Sequence, residues 1–247
     1  MKIRNPKSRF HLQIKKSDKV LEVGGGHNPH PRSNVVVDKF TGDDNQHRGA
    51  DLKVLSHQQF LEADGENLPF KDKEFDYVIC CHVLEHVPDP VKFLQEQFRV
   101  AKKGYIEIPS LLGELLAQKE SHKWIMHEHK DVLYLVDKEG IQFNPRFDTG
   151  NLFHDYLPKN SIGYKIIQRT HPNIETIRIE WESGFEFVVE PTDPEIRKFF
   201  TDAWRNTWSE SFFPQRTYGQ EVKETLAALW DIFKTVFRSK ILKRKTY

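Results

Sequence analysis

The sequence predicts an α/β protein: a doubly wound, mostly parallel sheet with helices on both faces, plus an insertion and a helical C-terminus. Three observations carry this. Short apolar strands alternate with helical segments from residue 19 to 109, the rhythm of βαβ units. Val35-Val36-Val37 and Tyr77-Val78-Ile79-Cys80-Cys81 are continuous apolar runs, as in strands covered on both faces. The helix over 90–102 opens with Asp89 as cap and Pro90 in its first turn, a favoured helix start.

In chain order, residues 1–18 are basic and weakly patterned and are expected to be an exposed lead-in. The main domain spans 19–192. Its strand candidates are 19–23, 34–37, 59–63, 75–81 and 104–108. Residues 110–160 break the rhythm and are expected to form a lid and acceptor-binding insertion. They hold a helix over 110–120, then His122, Trp124, His127 and His129 in a polar, aromatic-rich stretch. Segments 163–168, 174–181 and 185–189 follow, the last two joined by Glu182-Ser183-Gly184, a hairpin signal. Residues 193–247 read as a helical extension packed on the domain, with Trp230, Phe233, Phe237 and Ile241 at roughly helical spacing.

Composition removes several classes. The 247 residues carry 37 Lys+Arg and 36 Asp+Glu, a formal charge of +1, so a whole-surface nucleic-acid binder is not expected. Eighteen Phe and five Trp supply a core and exclude a disordered chain. No apolar stretch approaches the ~18–20 residues of a membrane span. The segment MKIRNPKSRFHLQIKK lacks the apolar run of a secretory signal. Cys80 and Cys81 are adjacent and apolar in context, which suits buried thiols in a reducing compartment. A cytoplasmic location is expected. The tail carries Lys234, Arg238, Lys240, Lys243, Arg244 and Lys245 with no acid after Asp231. That pattern suits a helix on an anionic membrane, but a terminal helix packed on its own domain with a basic end is the favoured reading.

In open α/β sheets ligands bind beyond the carboxyl ends of the strands. The first strand is followed by Glu22-Val23-Gly24-Gly25-Gly26, where glycines let backbone approach a ligand. The second ends at Asp38, fourteen residues beyond Gly24, an acid able to accept ribose hydroxyls. After the third comes Asp64-Gly65-Glu66-Asn67, an acid and a following amide suited to adenine. After the fourth come His82, Glu85 and His86. A dinucleotide fingerprint fails, because Pro29 stands at its last position. His82, Glu85 and His86 share one face if helical, and with His127 or His129 they form an alternative metal-ligand set.

Residues 19–109 resemble a class I S-adenosylmethionine-dependent methyltransferase of the broad small-molecule type, with its Rossmann-like sheet. The carrying stretches are VLEVGGG, VVVD, EADGENLPF, FDYVICCHVLEHVPDP and KKGYIEIPS, in that order. The resemblance implies S-adenosyl-L-methionine as cofactor, with Glu22, Gly24 and Gly26 bordering its methionine part and Asp38 holding the ribose hydroxyls. Asp64 and Gly65 would meet the adenine, and His82 would line the pocket. Residues 24–34 contain Pro29 and Pro31 and are too few for the family's usual helix, so a short helix or loop is expected there. The acceptor is expected to be a small polar molecule: a glycan or metabolite hydroxyl, amine or carboxylate. His127 and His129 are the candidate general bases, with no metal required. Two alternatives stand. One is a metal-dependent O-methyltransferase of RNA or quinone-precursor type using His82, Glu85 and His86, whose spacing is similar to the E-x-x-E-H element of such enzymes. The other is a non-catalytic protein that keeps the cofactor fold.

Overall fold

In the computed structural model, residues 1–39, 51–143, 149–213 and 215–237 are described. Five parallel strands centre the fold: β2 (Val20–Val23), β3 (Val35–Asp38), β4 (Gln59–Glu62), β5 (Phe75–Cys81) and β6 (Ala101–Pro109). Every residue of β2 and β3 is buried, which explains their unbroken apolar sequence. With β1 (Lys2–Arg4) and β9 (Thr176–Glu182) they form a seven-stranded sheet in the order β1-β9-β6-β5-β2-β3-β4, antiparallel only at β9 and β1. This is the predicted mostly parallel, doubly wound class.

The helix after β5 forms as its sequence dictates. Asp89 accepts a hydrogen bond from the Lys92 amide at 3.0 Å, and Pro90 opens α1 (Pro90–Val100). Phe93, Leu94, Gln97 and Val100 fall at helical spacing and are buried against the sheet. Residues 24–34 form a loop rather than a helix. The helix expected over 110–120 is shorter, α2 (Leu111–Leu116), capped by Ser110.

Three expectations are corrected. Residues 1–18, expected as an exposed lead-in, are tied to the sheet although much of their surface is exposed. β1 covers the edge of β9, and the fully buried Glu180 draws the segment in: it accepts hydrogen bonds from Arg4 Nε, the Gln13 amide and Tyr77 Oη, each at 2.7 Å. Residues 122–137, read as a polar stretch, are mostly strand. They form the hairpin β7 (Trp124–His129) and β8 (Val132–Asp137), to which β10 (Phe187–Val189) adds in parallel as a second, three-stranded sheet. The hairpin read at 174–189 therefore does not pair with itself. Ser183 and Gly184 do turn, at φ 59° and 105°. Both edges of β9 are already occupied by β6 and β1, so β10 crosses to β8. Segment 163–168 is helical, inside α4 (Ile162–Thr170), because Ser161 caps the Tyr164 amide at 3.1 Å.

The C-terminal region is helical as expected: α5 (Pro194–Thr201), α6 (Ser209–Phe212) and α7 (Tyr218–Val236), after the short α3 (Leu157–Asn160). Phe199, Phe200 and Phe212 cover the second sheet beside Ile125 and Val136. Ile241 and the basic residues after Phe237 lie outside the described residues. Among the described residues no helix is long and apolar enough to cross a membrane.

Candidate functional site

The strand order reverses between β2 and β5, with β3 and β4 on one side and β6 on the other. That reversal leaves a crevice at the carboxyl ends. Gly24 and Gly26 turn the chain there at φ +74° and +51°, conformations that cost side-chain-bearing residues. A β-carbon on Gly24 would stand 2.2 Å from Val83 Cγ2, whereas one on Gly26 would meet nothing within 4 Å. The turn is therefore wedged against the loop after β5 and open above Gly26. The Gly24 amide donates to Val37 O at 2.7 Å, and the Gly26 amide to Asp38 Oδ2 at 3.2 Å. The acid at the end of β3 is thus tied to the glycine turn.

Asp64, beyond β4, accepts from the Glu66 amide at 3.0 Å and pairs with Lys39 Nζ at 2.7 Å. Partial burial works to raise its pKa, and Lys39 with the Glu66 amide outweighs it, so the carboxyl is held low. Gly65 has a packing reason: a β-carbon would lie 2.5 Å from Phe93 Cε2 and 3.1 Å from Val23 Cγ1. Both oxygens of Glu22 are engaged. Oε1 pairs with Arg9 at 2.9 Å, and Oε2 takes the His30 amide at 2.6 Å and Ser33 Oγ at 2.7 Å. Burial raises its pKa against the pull of Arg9. Arg9 also donates to Asn28 O at 3.0 Å, so Glu22 clamps the N-terminal segment and the 24–34 loop beneath the turn.

An acid–histidine cluster occupies the ends of β5 and β6. His82 has φ +55°, a left-handed conformation rare for residues with a side chain. Its Nδ1 is 3.2 Å from Glu85 Oε1 and its Nε2 3.5 Å from Glu107 Oε1. Desolvation opposes the charge, but the two carboxylates outweigh it and raise the pKa to about 9. His82 is therefore an imidazolium at neutral pH. Glu107 also holds Arg178 Nε at 3.1 Å and the Tyr105 hydroxyl. Burial raises its pKa, while His82 and Arg178 prevail and bring it to about 2.

Glu85, His86 and His122 each place a ligand atom within 4.8 Å of the others. Glu85 is fully buried, and its Oε2 has no hydrogen-bond partner among the described residues. Nδ1 of His86 faces Ser121 O at 2.9 Å, and Nδ1 of His122 faces Glu114 Oε2 at 2.5 Å. A carbonyl and a carboxylate at Nδ1 select the Nδ1–H tautomer and leave Nε2 as the lone-pair nitrogen. The segment leading into the second sheet supplies His122. The Lys123 amide donates to Glu85 O at 2.7 Å and Trp124 Nε1 to Val87 O at 2.8 Å, docking the start of β7 on the turn Leu84–His86.

His127 and His129 are not brought to this cluster. They lie three and five residues beyond Trp124 on β7, about 10 and 16 Å along an extended strand. The His127 ring stacks on Phe212 at 4.4 Å and lies 4.6 Å from Phe199, and His129 lies 5.1 Å from Phe199. Burial pushes the pKa of His127 down to about 3. Of the alternative metal set, Glu85 and His86 stay together. His82 pairs instead with Glu85 and Glu107, and His122 replaces the two later histidines. Sequence reasoning missed Glu107, Glu114 and Arg178. The acid in Ile106-Glu107-Ile108, at the end of an apolar strand, was the available signal.

Residues 36–106 match a family described as a methyltransferase domain. A protein of Methanocaldococcus jannaschii is 37% identical over 86 residues, covering 32% of this chain and 40% of that one. A demethylmenaquinone methyltransferase of Staphylococcus carnosus is 34% identical over 105 residues, covering 38% and 42%. Among solved structures, a methyltransferase of Thermotoga maritima is 24% identical over 38% of this chain and 45% of that one, with a TM-score of 0.29. The chain thus spans about 40% of the length of these two curated relatives. The matched stretch runs from β3 to β6 across the crevice, and over those residues the chain is similar to a methyltransferase domain.

Proposed function

We propose that the protein transfers a methyl group from S-adenosyl-L-methionine to a small polar acceptor. The observation that supports it is the crevice: a glycine turn open above Gly26, with Asp38 and Asp64 at successive strand ends. These residues fit the cofactor. Gly24 and Gly26 would lie along its methionine part, and Asp38 would accept its ribose hydroxyls. Asp64 would take the adenine amine once Lys39 turns aside. The sulfonium supplies a methyl group on a leaving group already activated by charge. The chain's own part is alignment and exclusion of water. The His82 imidazolium, with both ring nitrogens held by Glu85 and Glu107, places a positive charge at the crevice wall; it is not a base at neutral pH. Of the candidate bases on β7, His127 is a weak one, because burial pushes its pKa down to about 3. A cytoplasmic location goes with this reading, since Cys80 and Cys81 are both free thiols.

Calorimetric titration with S-adenosylhomocysteine tests the proposal. Micromolar binding is expected, weakened at least tenfold, about 1.4 kcal/mol, by Asp38→Ala. No binding by the folded protein refutes it. Binding without turnover on any acceptor favours a silent cofactor-fold protein. The acceptor screen includes quinone precursors, because several relatives are named for demethylmenaquinone and ubiquinone methylation.

A second reading is metal-assisted O-methyl transfer, favoured by Glu85, His86 and His122. Two imidazoles and a carboxylate, with Nδ1 atoms braced by Ser121 O and Glu114, would hold a divalent ion able to polarise an acceptor hydroxyl. Titration with Mn²⁺ or Zn²⁺ tests it. The reading requires one ion per chain, lost in His122→Ala while S-adenosylhomocysteine affinity is kept.

A further inference from the structure

Helix α7 has two apolar faces. Ala228 and Ile232 are buried, and the helix packs against α4. Leu226, Leu229, Trp230, Phe233, Val236 and Phe237 are exposed. At 100° per residue these six fall within an arc of about 120°. The Trp230 and Phe233 rings stack at 5.6 Å, and Phe233 lies 6.1 Å from Phe237. The result is one continuous aromatic and aliphatic stripe, larger than scattered surface residues make.

The charges on the helix are sorted in the opposite sense. Its acids are turned to the body and paired: Glu221 with Arg216 at 3.4 Å, Glu224 with Lys7 at 3.3 Å, and Asp231 with Arg169 at 2.8 Å. Lys223 and Lys234 flank the exposed stripe at about 60–80° from Leu226 on the wheel. Lys234 Nζ sits 5.3 Å from the Trp230 ring. The sequence continues through Arg238, Lys240, Lys243, Arg244 and Lys245 with no acid.

We infer that the exposed face of α7 is a docking surface for an anionic lipid bilayer, on which the helix lies flat. The proposal is independent of the methyltransferase reading. Aromatic side chains beside flanking lysines suit the boundary between acyl chains and headgroups. Anionic headgroups complement the basic run, whose attraction to such a surface weakens with salt. Charge argues against a second copy as the occupant. In an antiparallel pair centred near Leu229, Lys223 of one helix meets Lys234 of the other. In a parallel pair the two basic runs meet. Neither arrangement offers unpaired acids to offset the repulsion.

The test is co-sedimentation of the full chain with phosphatidylcholine vesicles, with and without about 30% phosphatidylserine, at low and high salt. At least tenfold preference for the anionic vesicles is expected, reduced by salt. Trp230→Ser with Phe233→Ser should cut binding at least tenfold while S-adenosylhomocysteine affinity and the melting temperature stay unchanged. A second variant, Lys223→Glu with Lys234→Glu, leaves the stripe intact and should abolish the preference for anionic lipid. No sedimentation with either vesicle overturns the inference. So does equal binding to neutral vesicles, or a micromolar dimer that Trp230→Ser and Phe233→Ser dissolve.

Discussion

Replacing Gly24 by alanine probes the crevice at its tightest point. The backbone there lies at φ +74°, where a β-carbon costs about 1–2 kcal/mol. The added methyl would stand 2.2 Å from Val83 Cγ2, so Val83 must turn or its loop must shift. Overpacking of that kind costs roughly 1–3 kcal/mol. Near the middle of the combined range, the melting temperature should fall by roughly 10 °C, at about 2–4 °C per kcal/mol for this size. Affinity for S-adenosylhomocysteine should fall at least tenfold, about 1.4 kcal/mol, because the shifted atoms border the crevice. Val83→Ala separates the two causes. In a double-mutant cycle the overlap appears as a favourable coupling of about 1–3 kcal/mol, while the dihedral cost remains in Gly24→Ala/Val83→Ala. Scanning calorimetry and ligand titration of all four proteins read this out. A Gly24→Ala protein that melts and binds like the wild type would refute the placement of the turn.

Three further outcomes follow from the histidines and from Glu180. The folded pKa of His127 is about 3, against 6.5 when unfolded, so its neutral ring contributes stability above pH 6.5 that is lost as pH falls toward 3. His30, lowered to about 4 by burial and then by Arg9, acts in the same direction. Urea titrations from pH 6.5 to 4.5 should therefore show stability falling, with a shallower slope in His127→Phe; an unchanged slope refutes the assignment. His82 has the opposite sign. Its pKa of about 9 lies above the unfolded 6.5, so its contribution is complete below pH 6.5 and is lost as pH rises through 9. An NMR titration of its ring should give a midpoint near 9, and one near 6.5 would show that Glu85 and Glu107 do not hold it. Glu180→Ala strands Arg4, the Gln13 amide and Tyr77 Oη around a fully buried position. It should cost about 3 kcal/mol in urea unfolding; a loss under about 1 kcal/mol would mean the N-terminal segment is not part of the fold.

The strand ends were legible because each is a local event. An apolar run stops, and the next residue is a glycine or an acid that the sheet interior would not admit. Val35-Val36-Val37-Asp38 shows the whole argument in four positions: three residues covered on both faces, then a carboxylate at the rim. The N-terminal clamp was not local. Arg9 reaches Glu22 across thirteen positions, and Glu180 gathers Arg4 and Gln13 across more than 160. Nothing in a basic, weakly patterned segment announces a partner that sits at the far end of the chain.

The second sheet was hidden for a different reason, and it decides where the histidines go. The hairpin of β7 and β8 turns through Lys130 and Asp131, both at positive φ, 50° and 64°. A two-residue turn of that handedness is normally signalled by Asn-Gly or Asp-Gly. Here it is made without glycine, so 122–137 reads as a polar stretch rather than as two strands. Once the strands exist, the alternation of a strand sorts the histidines physically. His127 points among Phe199 and Phe212, where burial suppresses its charge. His122, just before Trp124, is pinned by Glu114 beside Glu85. Counting histidines past the fifth strand does not say which of them joins Glu85 and His86. The choice turns on which end of β7 docks on the β5 loop, and that is fixed by two hydrogen bonds, Lys123 to Glu85 and Trp124 to Val87.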